Sequence, residues 1–357
     1  MKLREGKISI TSLVIATSIT ILLMFLELNS KSKVPSAYYQ EKKEAAELTL
    51  KALKAVKEAV NERHIPIDRI NDPNETGLIG LQYSPLTTER SDISAKLTST
   101  NPNFAALIVQ LIKNSGAKEG DVIAVSLTGS YPALNIAVLS ALKILKLNPI
   151  IITSVSSSMW GANYPEWTYL DIAAVLSQKG LIEFETAAAS IGGEDDIGRG
   201  LSPGGREIIK TAMLRNKVPS LEAGNLEDAI KKRYNIYTNG RKVRLFINVA
   251  EHTTALAGID ITSGLIRPRH IKSGKGIIAQ FSRSGIPVIN IIDINSIAQE
   301  YGLPIAPIPL PNVGEGKLYS VFRYSVSQAI ISLAILLVIL FIVLRFDINY
   351  YLQRRKT

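Results

Sequence analysis

Apolar positions are distributed along this chain in two different ways. Residues 8–26 and 326–344 are continuous apolar runs without a charge. Each is roughly 19 residues long, enough for a helix to cross a hydrocarbon core of about 30 Å. A helix of that length in a soluble core normally keeps a polar stripe. The first run carries Ser9, Thr11, Ser12, Thr17, Ser18 and Thr20, whose hydroxyls can bond back to their own helix; the second, AIISLAILLVILFIVL, has almost no polar side chain.

Between these runs the pattern is that of a water-soluble domain. Residues 37–64 are rich in Glu, Lys and Ala, with Ala45, Leu48, Ala52, Ala55, Val56 and Ala59 at helical spacing. They predict an amphipathic helix leading out of the membrane as a stalk, or docked on the domain. Residues 66–100 lose periodicity among Pro, Asn, Gly, Thr and Ser and read as loop with at most short strands. Asn101 and Pro102 then predict a helix start, with the helix running to Asn114 ahead of Gly116.

From there short apolar runs alternate with helical stretches. Strand 122–127, helix 132–146 and strand 149–153 form a βαβ pattern, whose strands should pair in parallel. Runs 187–191, 243–249 and 288–292 predict further buried strands, with helices at 203–216, 226–234 and about 276–284. Strands that are apolar throughout, rather than strictly alternating, imply a sheet covered on both faces. The predicted fold is α/β, a parallel-sheet three-layer (Rossmann-like) soluble domain flanked by one transmembrane helix at each end. The expected division is 1–28 cytoplasmic tail and first span, 29–65 stalk helix, 66–312 α/β domain, 313–345 linker and second span, and 346–357 basic tail.

Charge sets the expected orientation. Lys2, Arg4 and Lys7 precede the first span, and Arg345, Arg354, Arg355 and Lys356 follow the second. Short basic flanks stay in the cytoplasm, whereas a long domain is translocated largely regardless of its charge. The expectation is a plasma-membrane protein with both termini cytoplasmic and the central domain extracytoplasmic. Lys31, Lys33, Lys42, Lys43, Lys317 and Arg323 on the other side of the spans argue the opposite way with less weight. The small-residue stretch Pro35-Ser36-Ala37 lies well past the first run, so an uncleaved anchor is expected rather than a signal peptide.

The chain has no cysteine, which removes disulfides, thiol catalysis and Cys-ligated zinc together. Formal net charge is +10; the segment through Leu28 contributes about +1 and that from Val326 onward about +3, leaving about +6 for the domain. Ordinary surface lysines explain such an excess, and it also suits an anionic partner.

Ligands of an open parallel sheet gather beyond the carboxyl ends of its strands, and there the sequence is least ordinary. After Leu127, the turn through Thr128, Gly129 and Ser130 leads into a helix carrying Asn135, a place where backbone N–H groups favour a carboxylate or phosphate. The turn lacks the glycine pattern of a dinucleotide or P-loop site, and Gly-x-Ser-x-Gly is missing because Thr128 and Pro132 fill the outer positions. Simple turn formation and helix capping account for the same residues. The polar loop 154–165 carries Ser156 and Trp160, which would line a groove or lean on a neighbouring loop. In the glycine-rich loop 192–205, Asp195 and Asp196 are candidate ligands for a divalent cation, although the spacing is not that of an EF-hand. Arg199 would recognise a carboxylate or pair with those aspartates. Glu251 and His252 follow the run 243–249, and of three histidines His252 alone lies where a strand ends, as a general base or a hydrogen-bonded loop residue.

The stretches ETGLIGLQYSPLTT, TSTNPNFAALIVQLIKNSGAKEGD, TGSYPALNIAVLSALK, SSSMWGANYPEWTYLD and GGEDDIGRGLSP together resemble the poly-gamma-glutamate system protein family, over roughly residues 37–311. The resemblance implies a membrane component that accompanies bacterial poly-gamma-glutamate synthesis and export. Its expected partners are the synthase membrane subunits, the anionic polymer and the lipid bilayer, without nucleic acid. It names a pathway rather than a reaction: no cofactor is defined and no catalytic role passes to Ser130, His252 or Asp196. At Ala250 to Thr254 the sequence departs from the glycines expected of the family, so Glu251 and His252 carry nothing over from it. Three readings result: an accessory that binds or guides the polymer, an extracytoplasmic hydrolase or transferase of gamma-glutamyl chains, and a scaffold subunit with no polymer contact.

Overall fold

The computed structural model describes residues 10–250 and 252–345. The chain divides into two compact units, a terminal one made of Met1–Ser36 with Ser320–Thr357 and a body, Ala37–Tyr319.

In the terminal unit, helices Ile10–Leu28 and Val326–Arg345 pack on each other, and both are long and apolar enough to cross a membrane. Beside them, Ser32–Pro35 and Ser320–Arg323 pair antiparallel, Ser32 opposite Arg323 and Pro35 opposite Ser320.

The body is built on six strands: β1 (Val122–Thr128), β2 (Asn148–Ser154), β3 (Thr186–Ser190), β4 (Val243–Val249), β5 (Gly264–Ile266) and β6 (Val288–Ile291). Their order is β5-β6-β4-β1-β2-β3, with every pairing parallel except the short edge strand β5 against β6. Side chains alternate between the faces as a pleated strand requires. Ile123, Val125, Leu127, Ile151, Leu245 and Ile247 enter one apolar cluster, whereas Ala124, Ile150, Ile152 and Phe246 enter another. Both faces are therefore apolar, which is why these strands read as continuous runs.

Helices Phe104–Ser115 and Pro132–Ile144 are buried almost all round and belong to the first cluster. The second cluster holds Tyr237 of helix Leu226–Thr238 and Phe281 of helix Ile277–Arg283 against Phe246 of β4.

Helix Tyr39–Glu62 takes the docked alternative and not that of a stalk. Its chief neighbours are the helices Phe104–Ser115, Pro132–Ile144 and Tyr169–Gln178, and Ala45, Ala52, Ala55, Val56 and Ala59 are all buried there. Small alanines allow close helix approach, so the apolar stripe of this amphipathic helix is its packing face against the body. Lys42, also buried, donates from Nζ to the Leu318 carbonyl at 2.8 Å. The body therefore begins at Ala37 rather than after residue 65. Among the elements that went unforeseen are helix Ile93–Ser99 inside the expected loop, helix Tyr169–Gln178, helix Ile294–Glu300 and strand β5. The predicted start at Asn101 also shifts, because Asn101 accepts from the Asn103 N–H in a local turn and the helix begins at Phe104.

Candidate functional site

The turn after β1 is fixed by its neighbours. Gly129 donates to the Ser154 carbonyl and accepts from the Ala162 N–H, both at 2.8 Å. A Cβ on Gly129 would lie 2.6 Å from the Val155 carbonyl oxygen and 2.8 Å from that of Ser156, so only glycine fits. Ser130 donates its N–H to Thr128 Oγ1 at 3.1 Å and accepts the Ser158 N–H on Oγ at 3.0 Å. Asn135 is fully buried and reaches back to the Thr128 carbonyl at 2.7 Å. Gly129 and Asn135 thus shape the turn that presents Ser130.

Under that turn lies Lys96, 1% exposed, on helix Ile93–Ser99. Its Nζ donates to the Ser130 carbonyl and to Ser158 Oγ, and sits 3.9 Å from the centroid of the Tyr131 ring. Burial pushes its pKa down to about 7, against an opposing pull from Glu89.

The loop after β3 closes on itself through bridges between Gly192 and Ile197 and between Glu194 and Arg199. Asp195 and Asp196 take left-handed backbone there, with φ of 59° and 64°, a conformation that aspartate tolerates better than most residues. This aims Asp196 into the body. Arg233 donates to its Oδ2 at 2.7 Å and its Oδ1 at 3.0 Å, and Ser190 Oγ donates to Oδ1 at 2.6 Å. Arg233 Nη2 also meets Ser154 and Ser190 Oγ at 2.7 and 2.6 Å. The cation beside Asp196 is therefore a guanidinium. Asp195 turns instead to Arg199, at 3.0 Å, with Glu194 3.8 Å from the same guanidinium. Among the described residues, no group of three His, Asp or Glu is placed to hold a metal ion.

Beyond β4, Ala250 adopts φ 68° and the chain turns to His252, which is 9% exposed. Its Nε2 is buried without a hydrogen-bond partner among the described residues. Burial, assisted by the nearby positive charge of Arg233, pushes the imidazole pKa down to about 4. Glu251, the other candidate of this segment, lies outside the described residues.

These loops enclose one cavity of about 320 Å³. Of the residues anticipated from sequence, Thr128, Ser130, Ser156, Asp196, Arg199 and His252 line it. Trp160 is not among its lining residues: its backbone N–H is held by the Leu81 carbonyl at 2.8 Å and its φ is 56°. Glu89, Ser154 and Glu194 also line the cavity, while Lys96 and Arg233 support its walls from behind. Arg233 lies in the run Lys231-Lys232-Arg233 of the expected helix 226–234, and Lys96 in a segment read as loop. Only the apolar neighbours of helix 226–238 hinted that one of its basic residues faces inward.

Comparison with family models, with curated proteins and with solved structures finds no match for the chain.

Proposed function

We propose that this chain is a membrane-anchored accessory of gamma-glutamyl polymer synthesis or export, whose Rossmann-like, three-layer body lies outside the cytoplasm and binds the polymer in the carboxyl-edge cleft. The supporting observation is the cleft itself: loops following β1, β2, β3 and β4 bring Ser130, Ser156, Arg199 and His252 to one polar cavity. Strand order reverses between β1 and β4, the switch point where open α/β sheets place their ligands. The resemblance of residues 37–311 to the poly-gamma-glutamate system protein family supplies the polymer, and the body, Ala37–Tyr319, carries a modest positive charge of about +3 that suits its carboxylates.

The test is affinity of the full chain in lipid nanodiscs for purified poly-gamma-glutamate at low and high ionic strength. Binding that weakens with salt and is reduced by Arg199→Ala supports the reading; absent binding removes it. Orientation is tested separately. The chain has no native cysteine, so Lys118→Cys provides a single thiol that an impermeant maleimide should label in intact cells.

The presence of Ser130 and His252 around one cavity supports a second reading, acyl transfer or hydrolysis of gamma-glutamyl bonds. Against it, Asp196 serves Arg233, and an imidazole pushed down to about 4 is a weak base at neutral pH. Polymer chain length after incubation with the full chain, beside a Ser130→Ala control, separates the two.

A further inference from the structure

We infer that the surface built from residues 229–289 docks on the headgroups of anionic phospholipids. The inference goes beyond the function proposed above: it depends neither on the polymer nor on which side of the membrane the body occupies.

Charge is unevenly divided within the body. From Ala229 to Ile289 the chain carries eleven Lys and Arg against two carboxylates, Glu251 and Asp260, a net of +9. The body as a whole, Ala37–Tyr319, is only about +3, which leaves about −6 for the rest of it. Ten of the eleven cations are exposed, the exception being Arg233 on Asp196. Among the described residues, two of the ten meet a carboxylate, Lys232 with Asp228 at 2.8 Å and Arg244 with Asp121 at 3.9 Å. The other eight repel one another through solvent, a cost that a neighbouring anion removes.

Packing gathers these side chains on one surface. Helices Leu226–Thr238 and Ile277–Arg283 lie side by side, with the rings of Tyr234 and Phe281 5.1 Å apart. The loop carrying Arg269 and Lys272 is tied to the second helix: the Arg269 N–H donates to the Ser282 carbonyl at 2.7 Å and the Ile271 N–H to Ser282 Oγ at 3.0 Å. Arg283 donates back to the Gly274 carbonyl at 2.8 Å. Arg244, entering β4, borders one shallow cavity with Pro268 and Gly285.

The arrangement suits an extended anionic surface. The cations are spread over two helices and a loop, and Arg244 is the one basic side chain lining that cavity, so no small anion is enclosed. No large apolar side chain in this stretch is exposed among the described residues, so contact is made at headgroup level without insertion. Lipid is favoured over a free polyanion by the tether. Leu28 ends the first apolar helix nine residues before Ala37, a span of at most about 30 Å. The body's first residues adjoin the basic surface: Lys113 Nζ lies 5.2 Å from the centroid of the Tyr38 ring, and Ser115 to Ala117 line the same cavity as Arg244. A bilayer is thus held at high effective concentration, whereas a soluble polymer must be captured from solution.

The experiment uses the full chain in nanodiscs of phosphatidylcholine alone, or with about a quarter of the lipid replaced by phosphatidylglycerol. Ser273→Cys, exposed within the basic loop, gives a single thiol for a fluorophore, and a spin-labelled headgroup lipid serves as quencher. Quenching should be stronger in the anionic discs and fall to the neutral-disc level when salt is raised. Each Lys or Arg at an anionic surface strengthens attachment about fivefold, so Arg267→Gln, Lys272→Gln and Lys275→Gln combined should weaken docking on the order of a hundredfold and remove the difference between the discs. These side chains are exposed, and the salt arm needs no variant at all. Equal quenching in both discs, or anionic-disc quenching that persists in the triple variant, overturns the inference. Binding of soluble poly-gamma-glutamate in neutral discs that the triple variant loses, with no dependence of quenching on lipid charge, overturns it in favour of a free polyanion.

Discussion

Arg233 and Asp196 form a two-point ion pair, Nε to Oδ2 at 2.7 Å and Nη2 to Oδ1 at 3.0 Å, with the arginine side chain 0% and the aspartate side chain 4% exposed. Each group neutralises the other where water cannot. Removing one partner strands a buried charge, which costs about 3–5 kcal/mol, whereas replacing both by apolar residues is close to neutral. Arg233→Met should therefore lower the free energy of unfolding by about that amount in urea titration, and Arg233→Met with Asp196→Leu should recover much of the loss. A single-variant cost below about 1 kcal/mol would show that the pair does not hold the loop after β3.

His252 predicts an acid sensitivity. Its native pKa is about 4 against an ordinary 6.5, so between those values the unfolded chain takes up a proton that the folded chain refuses. Stability should fall as pH drops from 6.5 toward 4 and be unaffected by this group above that window. Thermal unfolding of His252→Gln across the same range should show a shallower slope than wild type; parallel slopes would contradict the assignment.

Lys96 predicts an effect at the alkaline end. The folded pKa of about 7 lies below the ordinary 10.5, so the unfolded state binds the additional proton between them and stability should rise with pH through that interval. Lys96→Met should remove this rise, measured as the difference between the two chains in denaturant midpoint at each pH. Hydrogen bonds to Ser130 and Ser158 favour the charged ammonium and set how far burial can neutralise it.

Gly129→Ala tests the shape of the turn. The new methyl would meet the Val155 and Ser156 carbonyl oxygens inside contact distance, and overpacking of this kind costs about 1–3 kcal/mol. On the function proposed above, polymer binding should weaken as well, because relief requires moving Ser130 or Ser156 at the cavity wall. Unchanged melting and binding would mean that the turn gives way without consequence.

The sequence was most informative where local pattern and topology agree. Runs 122–127, 149–153 and 243–249 became β1, β2 and β4 with ends displaced by no more than about a residue, because strands buried on both faces must be apolar throughout. Parallel pairing then indicates which loops share an edge, and that logic alone led to Ser130, Ser156, Arg199 and His252. It gave no access to Lys96 or Arg233, since a buried cation has the same sequence signature as a solvated one and only tertiary packing decides between them. For Trp160 the sequence left two alternatives, and its bond to Leu81, a residue distant in sequence, fits the one in which it leans on a neighbouring loop. Asp195 and Asp196 resemble a cation site as neighbours in sequence, yet their left-handed backbone sends them to different arginines. Strand β5 has three residues, too few for any periodicity to register.

The pairing of Pro35 with Ser320 brings the two crossings between the units side by side, and within the body the rings of Tyr39 and Tyr319 lie 6.1 Å apart. In chain order the body is thus an insertion between two apolar helices, leaving the terminal unit after Ser36 and returning to it at Ser320. A graft that joins residue 36 to residue 320 through a short turn should leave the pairing of Ser32–Pro35 with Ser320–Arg323 uninterrupted, so the apolar helix pair can be tested apart from the body.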